Sequence, residues 1–154
     1  MDDVYKSPES NLGRDNTEIK YAGFWTRFAA NIIDMLWILP LVFALGYLYY
    51  GSHYIMSDEL YLGGFDIFIQ YIFPALITLA FWVYKSATPG KMAVRTKIVD
   101  AKTLEPASSV QLVIRYLSYY ISMLALFLGF IWVAFDKRKQ AWHDKLAKTL
   151  VIHD

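Results

Sequence analysis

The chain has 154 residues, room for one domain of ordinary size. Its 56% hydrophobic and 19% charged residues sit on the apolar side of soluble averages, and 15 Lys+Arg nearly balance 14 Asp+Glu. That balance excludes a strongly basic nucleic-acid binder, and the lack of cysteine excludes disulfides, thiolate metal sites, iron–sulfur clusters and cysteine nucleophiles.

The first 20 residues carry eight charges and no apolar run. They read as a disordered tail rather than a signal peptide. The remainder, 21–154, reads as one membrane domain. Its charges are segregated. Between residues 32 and 84 there is no Lys or Arg, and between 116 and 135 there is no charge at all. All basic residues fall in three blocks: four up to Arg27, six from Lys85 to Arg115, and five from Lys137 onward. Apolar runs of about 20 residues between basic blocks predict membrane spans.

The first predicted span covers about 24–50, the second about 65–84 with Pro74 in its middle, and the third about 110–135. Tyr47, Tyr49, Tyr50 and Tyr54 near the end of the first, and Trp82 and Tyr84 near the end of the second, suit the headgroup level. The loop 51–64 has no Lys or Arg, which predicts that it lies outside the cytoplasm. The loop 85–109 carries Lys85, Lys91, Arg95, Lys97 and Lys102, which places it inside with the N-terminal tail. The third segment conflicts with this bias. A simple crossing puts Lys137, Arg138, Lys139, Lys145 and Lys148 outside. The alternative is a segment that turns back around 126–130, near Gly129. Two short β-like runs, 95–100 and 149–152, favour that alternative, because they can pair only on one side of the membrane. The expected fold is therefore an all-α integral membrane protein. It is a small helical bundle of three or four membrane segments with a short cytoplasmic β-pairing.

Arg27, Asn31 and Asp34 recur at i, i+4, i+7 and share one face of the first span. Asp34 lies about 10 Å deeper than Arg27, too far in to reach water by extension. An Asp at a helix centre costs roughly 2.5–3.5 kcal/mol on insertion scales, so it must have a partner. It clamps helices together, binds a proton or cation, or reaches the interface through tilt or water. In the third segment Gln111, Arg115, Ser118 and Ser122 share a face, and Arg115 is the best counter-charge for Asp34. In the second, Asp66, Gln70, Pro74 and Thr78 follow i, i+4 steps. Pro74 frees the Gln70 carbonyl as a ligand or hinge, or simply kinks the helix. Asn31, Gln70 and Ser118 offer neutral oxygens to an ion at Asp34.

Other motifs are weaker. Thr88-Pro89-Gly90-Lys91 has only a superficial likeness to a phosphate loop and is a turn signal. Trp142-His143-Asp144 lacks a nucleophile, and a lone His beside a Trp reads as interfacial. His53, His143 and His153 are not at metal spacing. The basic run 137–139 can touch anionic lipid. No cofactor, metal or enzymatic activity is expected.

Four segments, taken in order, resemble the RDD family of membrane proteins. They are Ala22-Gly23-Phe24-Trp25-Thr26-Arg27 leading to Asp34, Ala87-Thr88-Pro89-Gly90-Lys91-Met92, the 95–100 run, and Phe135-Asp136 leading through Trp142-His143-Asp144 to Ala147. The likeness covers about 21–152. Arg27 and Asp34 match the family's Arg and first Asp, and Asp144 or Asp136 its second. The resemblance implies transport of ions or other ligands, including cation/proton antiport. Two functions are expected from it and from the residues. One is a small oligomeric transporter of the bacterial inner membrane, with Asp34 exchanging a cation and a proton. The other is a non-catalytic membrane adaptor or scaffold assembled through the Arg27/Asp34 stripe. The expected partners are the lipid bilayer and a second copy or another membrane protein, with no nucleic acid.

Overall fold

Helix α1 (Phe24–Tyr50) forms over a run rich in Ala, Leu, Ile, Phe and Tyr, with no glycine until Gly46 and Gly51. Pro40 lies inside it without ending it. At 1.5 Å per residue α1 is about 40 Å long, more than a hydrocarbon core. It stops at Gly51, whose φ of 62° suits glycine and whose N–H closes on the Tyr47 carbonyl at 2.8 Å. The computed structural model describes residues 19–124 and 128–154. The tail expected over 1–20 lies outside the described residues, except for Ile19 and Lys20.

A short turn of helix, α2 (His53–Met56), leads to the second span. This span begins as α3 (Gly64–Ile67), widens into one π-helical turn over Phe68–Ile72, and continues as α4 (Phe73–Lys85). The π turn is the local answer to Pro74. The Phe73 N–H bonds the Phe68 carbonyl, five residues back, so the ladder steps around the residue that lacks a donor. Pro74 therefore sits just past a register shift in the span.

Ser86, at φ 54°, ends α4. A helical turn, α5 (Pro89–Ala93), precedes β1 (Thr96–Asp100). The third apolar segment does not form one straight helix. Its first arm, α6 (Ser109–Leu124), meets a second arm at 113°. That arm is α7 (Leu128–Ile131), closed by a 3-10 turn over Trp132–Ala134. Gly129 sits where the arms touch, since a Cβ there would lie 2.7 Å from Ser122 Cβ and Oγ. Among the described residues, two helices are long and apolar enough to cross a membrane, 24–50 and 64–85. The third segment is a bent pair.

The chain closes with α8 (Trp142–Ala147) and β2 (Thr149–His153). β1 and β2 pair antiparallel, with Ile98 opposite Val151, so the two β-like runs lie together on one side. The stretch before α1 joins them. Tyr21 bridges Ile152, and Ala22 N–H bonds the Val151 carbonyl at 2.9 Å. The packed core lies here rather than between the spans. Ala22, Trp82, Ile98, Leu112 and Val151 form it. Along α1 only Ala30 and Gly46 are buried, while Leu36, Leu39, Phe43 and Leu48 are exposed to what surrounds the protein. Lipid tails are as apolar as leucine, so nothing drives these faces inward.

Candidate functional site

The site is built at the end of the bundle where α1 begins. Asp144 is its centre. It is completely buried at the third position of α8, where Oδ2 accepts the Ala141 N–H at 2.9 Å and caps the helix. Two guanidinium groups converge on it. Arg27 donates from Nη1 to Oδ2 at 2.5 Å, and Arg115 pairs with Oδ1. Arg27 uses the rest of its fork on backbone: Nε on the Ala22 carbonyl at 2.9 Å and Nη2 on the Lys139 carbonyl at 2.6 Å. Arg115 donates to Thr149 Oγ1 at 2.7 Å and lies against the rings of Trp82 and Tyr119. One carboxylate and two arginines thus tie together the approach to α1, the loop before α8, α8 itself, α6 and β2. Burial alone would push the Asp144 carboxyl up. Arg115 and Arg27 outweigh it and hold the group well below the usual carboxylate range.

His143 fills the space beside this centre. It packs against Tyr119 and Phe130, with ring centroids at 4.2 and 5.1 Å, and Nδ1 lies 3.5 Å from Ser122 Oγ. Burial drives its proton off. Asp144 opposes this, and Arg115, Arg27 and Lys91 reinforce it, so the imidazole is neutral at pH 7. It is a core residue, not the interfacial one its Trp142 neighbour suggested.

The second node is Asp34. Its Oδ2 accepts Thr88 Oγ1–H at 2.5 Å, and its Oδ1 accepts the Gly90 N–H at 2.7 Å and Trp37 Nε1–H at 3.2 Å. The carboxylate therefore fastens the start of α5 to the side of α1. Gly90 makes the approach possible. A Cβ on it would lie 2.0 Å from the Ala30 carbonyl oxygen. The turn signal Thr88-Pro89-Gly90-Lys91 is thus a docking element for Asp34, a role that the motif's weak likeness to a phosphate loop concealed. Lys91, on the next position, is buried and lies 5.9 Å from the Trp82 ring centroid.

Several expected placements are corrected. Arg115 does not serve Asp34; it pairs with Asp144, because α8 carries a carboxylate directly under α6. Asp136 is not the partner of Arg27. It pairs with Lys145 and caps its own turn through the Arg138 and Gln140 N–H groups. Asn31 is exposed and does not reach Asp34. Gln70 donates to Asp66 Oδ1 at 2.7 Å, beside Tyr50 at the opposite end of α1 from Arg27. Ser118 is buried but gives its hydroxyl to the Ile114 carbonyl at 2.7 Å. The neutral ligand set expected around Asp34 is not assembled there. Among the described residues no group of three or more His, Asp or Glu is placed to hold a metal ion.

The model of the RDD family matches residues 21–148, a stretch that contains Arg27, Asp34 and Asp144. An uncharacterised protein of Rickettsia prowazekii is 39% identical over 111 residues, covering 64% of this chain and 62% of its own length. The uncharacterised membrane protein YteJ of Bacillus subtilis is 30% identical over all of this chain and 97% of its own length. YxaI of the same organism, also uncharacterised, is 30% identical over 87% of this chain and 98% of itself. No solved structure matches significantly. With two helices long enough to cross a bilayer and the family pattern over most of its length, the chain is a membrane protein of the RDD family.

Proposed function

We propose that the protein is a multi-pass, non-enzymatic adaptor or scaffold of the cell membrane. In this reading its N-terminus, β1–β2 sheet and C-terminus are cytoplasmic, and it recruits a second copy or another membrane protein. The observation that carries this is the use made of the two carboxylates. Every oxygen of Asp34 and Asp144 already faces donors from this chain, namely Thr88, Gly90 and Trp37 in one case and Arg27, Arg115 and the Ala141 N–H in the other. Such carboxylates fasten elements. A cation would have to compete with these donors for either carboxylate. The Lys/Arg bias supports the orientation, since Lys137, Arg138, Lys139 and Lys148 share the side of the sheet.

Transport through Asp34 is the second reading. It is favoured by the position of Asp34 on a membrane-length helix beside the buried amine of Lys91. The two readings part in sealed vesicles. The purified full chain is reconstituted, and cation movement in response to a pH gradient is followed for the parent and Asp34→Asn. The scaffold reading expects no flux from either, and a lower folded yield for Asp34→Asn. Flux from the parent that Asp34→Asn abolishes while still folding would overturn it in favour of transport.

A further inference from the structure

Lys91 is an anomaly that the fastening role does not use. Only 5% of it is exposed. Burying an ammonium is costly unless a carboxylate accompanies it. Among the described residues its Nζ makes no ion pair and no hydrogen bond, and it lies 5.9 Å from the centre of the Trp82 ring. The two nearby carboxylates are engaged elsewhere, Asp34 by Thr88 and Gly90, Asp144 by Arg27 and Arg115.

The groups facing Lys91 can be taken element by element. From α1 come Arg27 and Asp34, and from α4 the Trp82 ring. From α6 come Arg115 and Tyr119, and from α8 His143, with Asp144 next to it. The two guanidiniums cannot give up a proton in the physiological range. His143 has already lost its own. Among the basic groups of this cluster, Lys91 is therefore the one able to change charge. Burial pushes it to deprotonate, with Tyr119 and Asp34 opposing and Arg115 and Arg27 assisting, and the balance lies below the ordinary lysine range.

We propose that Lys91 is a proton-binding site, neutral in the packed fold and charged when the protein takes up a proton from acidified medium. The mechanical consequence follows from its place on α5. The Lys91 N–H points at Thr88 Oγ1, the same hydroxyl that Asp34 holds. A charged Lys91 draws on the Asp34 carboxylate and competes with Thr88 and Gly90 for it. Proton uptake thereby loosens the joint between α5 and α1. The step moves one proton from water to the Nζ lone pair and needs no other reactant. It holds whether the protein acts as a scaffold or as a transporter.

The test compares thermal unfolding of the full chain in detergent for the parent, Lys91→Met and Lys91→Arg, from about pH 5 to about pH 9. Lys91→Met removes the charge and keeps the stem. It should unfold roughly 5 °C or more above the parent at the acid end, with the gap narrowing as pH rises. The sign follows from linkage. Wherever the pH lies between the lowered folded value and the ordinary lysine value, the unfolded parent binds a proton that the folded parent gives up, so parent stability climbs with pH there. Lys91→Arg should be destabilised throughout, without that slope. A gap between Lys91→Met and the parent that is constant or widens with pH overturns the proposal. Should the variants fold poorly, the parent labelled with nitrogen-15 at lysine Nζ gives a direct reading. One buried signal titrating well below the other lysines supports the site. All signals titrating together near the ordinary lysine value overturns it.

Discussion

Asp144→Asn is the sharpest perturbation of the buried centre. The change keeps the size of the side chain and its cap on the Ala141 N–H, but it removes the charge that Arg27 and Arg115 share. Asp144 and Arg115 are essentially sealed from solvent, and Arg27 is nearly so. Removing one partner of a buried pair costs about 3–5 kcal/mol, because the other charge is left uncompensated. Here two guanidiniums lose their partner at once, so the upper part of that range is expected. That is a large fraction of the roughly 5–15 kcal/mol that holds a domain together. The assay is equilibrium unfolding in detergent, with the folded yield after membrane extraction as a second readout. Adding Arg115→Met should cost less than the sum of the single changes, since it removes one stranded charge. Acid should mimic the substitution. The native state holds Asp144 well below the usual carboxylate range, so its contribution is complete above about pH 4 and drains as pH falls further. Asp144→Asn should lose that part of the acid sensitivity. A loss under about 0.5 kcal/mol for Asp144→Asn, or strict additivity with Arg115→Met, would refute direct coupling.

Two further outcomes are expected. Gly90→Ala places a methyl group 2.0 Å from the Ala30 carbonyl oxygen and 2.8 Å from Asp34 Cγ. A backbone carbonyl within a helix cannot move aside, so α5 should lift from α1. The cysteine-free chain allows a clean readout: a cysteine placed at the buried Ala87 should be labelled by a thiol reagent faster in the Gly90→Ala background, and equal rates would contradict the docking. The strand pairing requires that residues 96–100 and 149–153 share one side, with Lys20 also bonded to His153. Reporters fused at Met1 and at Asp154 should therefore give the same compartment, cytoplasmic by the charge bias; opposite signals would show that the bent segment crosses.

What the sequence disclosed and what it hid follow from the kind of information each residue carries. Spans are long-range averages, so the charge gaps marked α1 and the 64–85 helix well. The bend of the third segment was legible because five basic residues after Phe135 conflict with a straight crossing. The strand pair was legible because two β-branched runs had nowhere else to go. Asp34 read correctly as a residue needing a partner. The identity of that partner was hidden, because helix periodicity gives the face of a residue but not which loop folds back onto it. Thr88 and Gly90 reach Asp34 across 54 and 56 residues of chain, through a turn that pattern alone classed as a connector. Arg115 was assigned to Asp34 on depth and face. It went to Asp144 because α8 places its carboxylate under α6, a fact of tertiary packing. The choice between Asp136 and Asp144 was likewise open in the sequence. The structure gives the two different surroundings: Asp144 is sealed against Arg27, while Asp136 keeps to its own turn and Lys145.

The placement of the charges answers a problem of economy that a small membrane chain must solve. A soluble domain of this length would specify its fold by burying apolar side chains. Here Leu36, Leu39, Phe43 and Leu48 gain nothing by leaving lipid for protein, and they remain on the outside. Specificity must come from interactions that lipid cannot imitate. The chain places them at one end: a carboxylate between two guanidiniums, a carboxylate clasping a turn of helix, and a strand pair that closes the edges. Each is directional, and each joins segments distant in sequence. The apolar helices can then be long, plain and tolerant of change, because the register of the whole assembly is set where Arg27, Asp34 and Asp144 sit. A substitution of Leu36 by another apolar residue should therefore be nearly silent, whereas a single charge removed from that end reaches five segments at once.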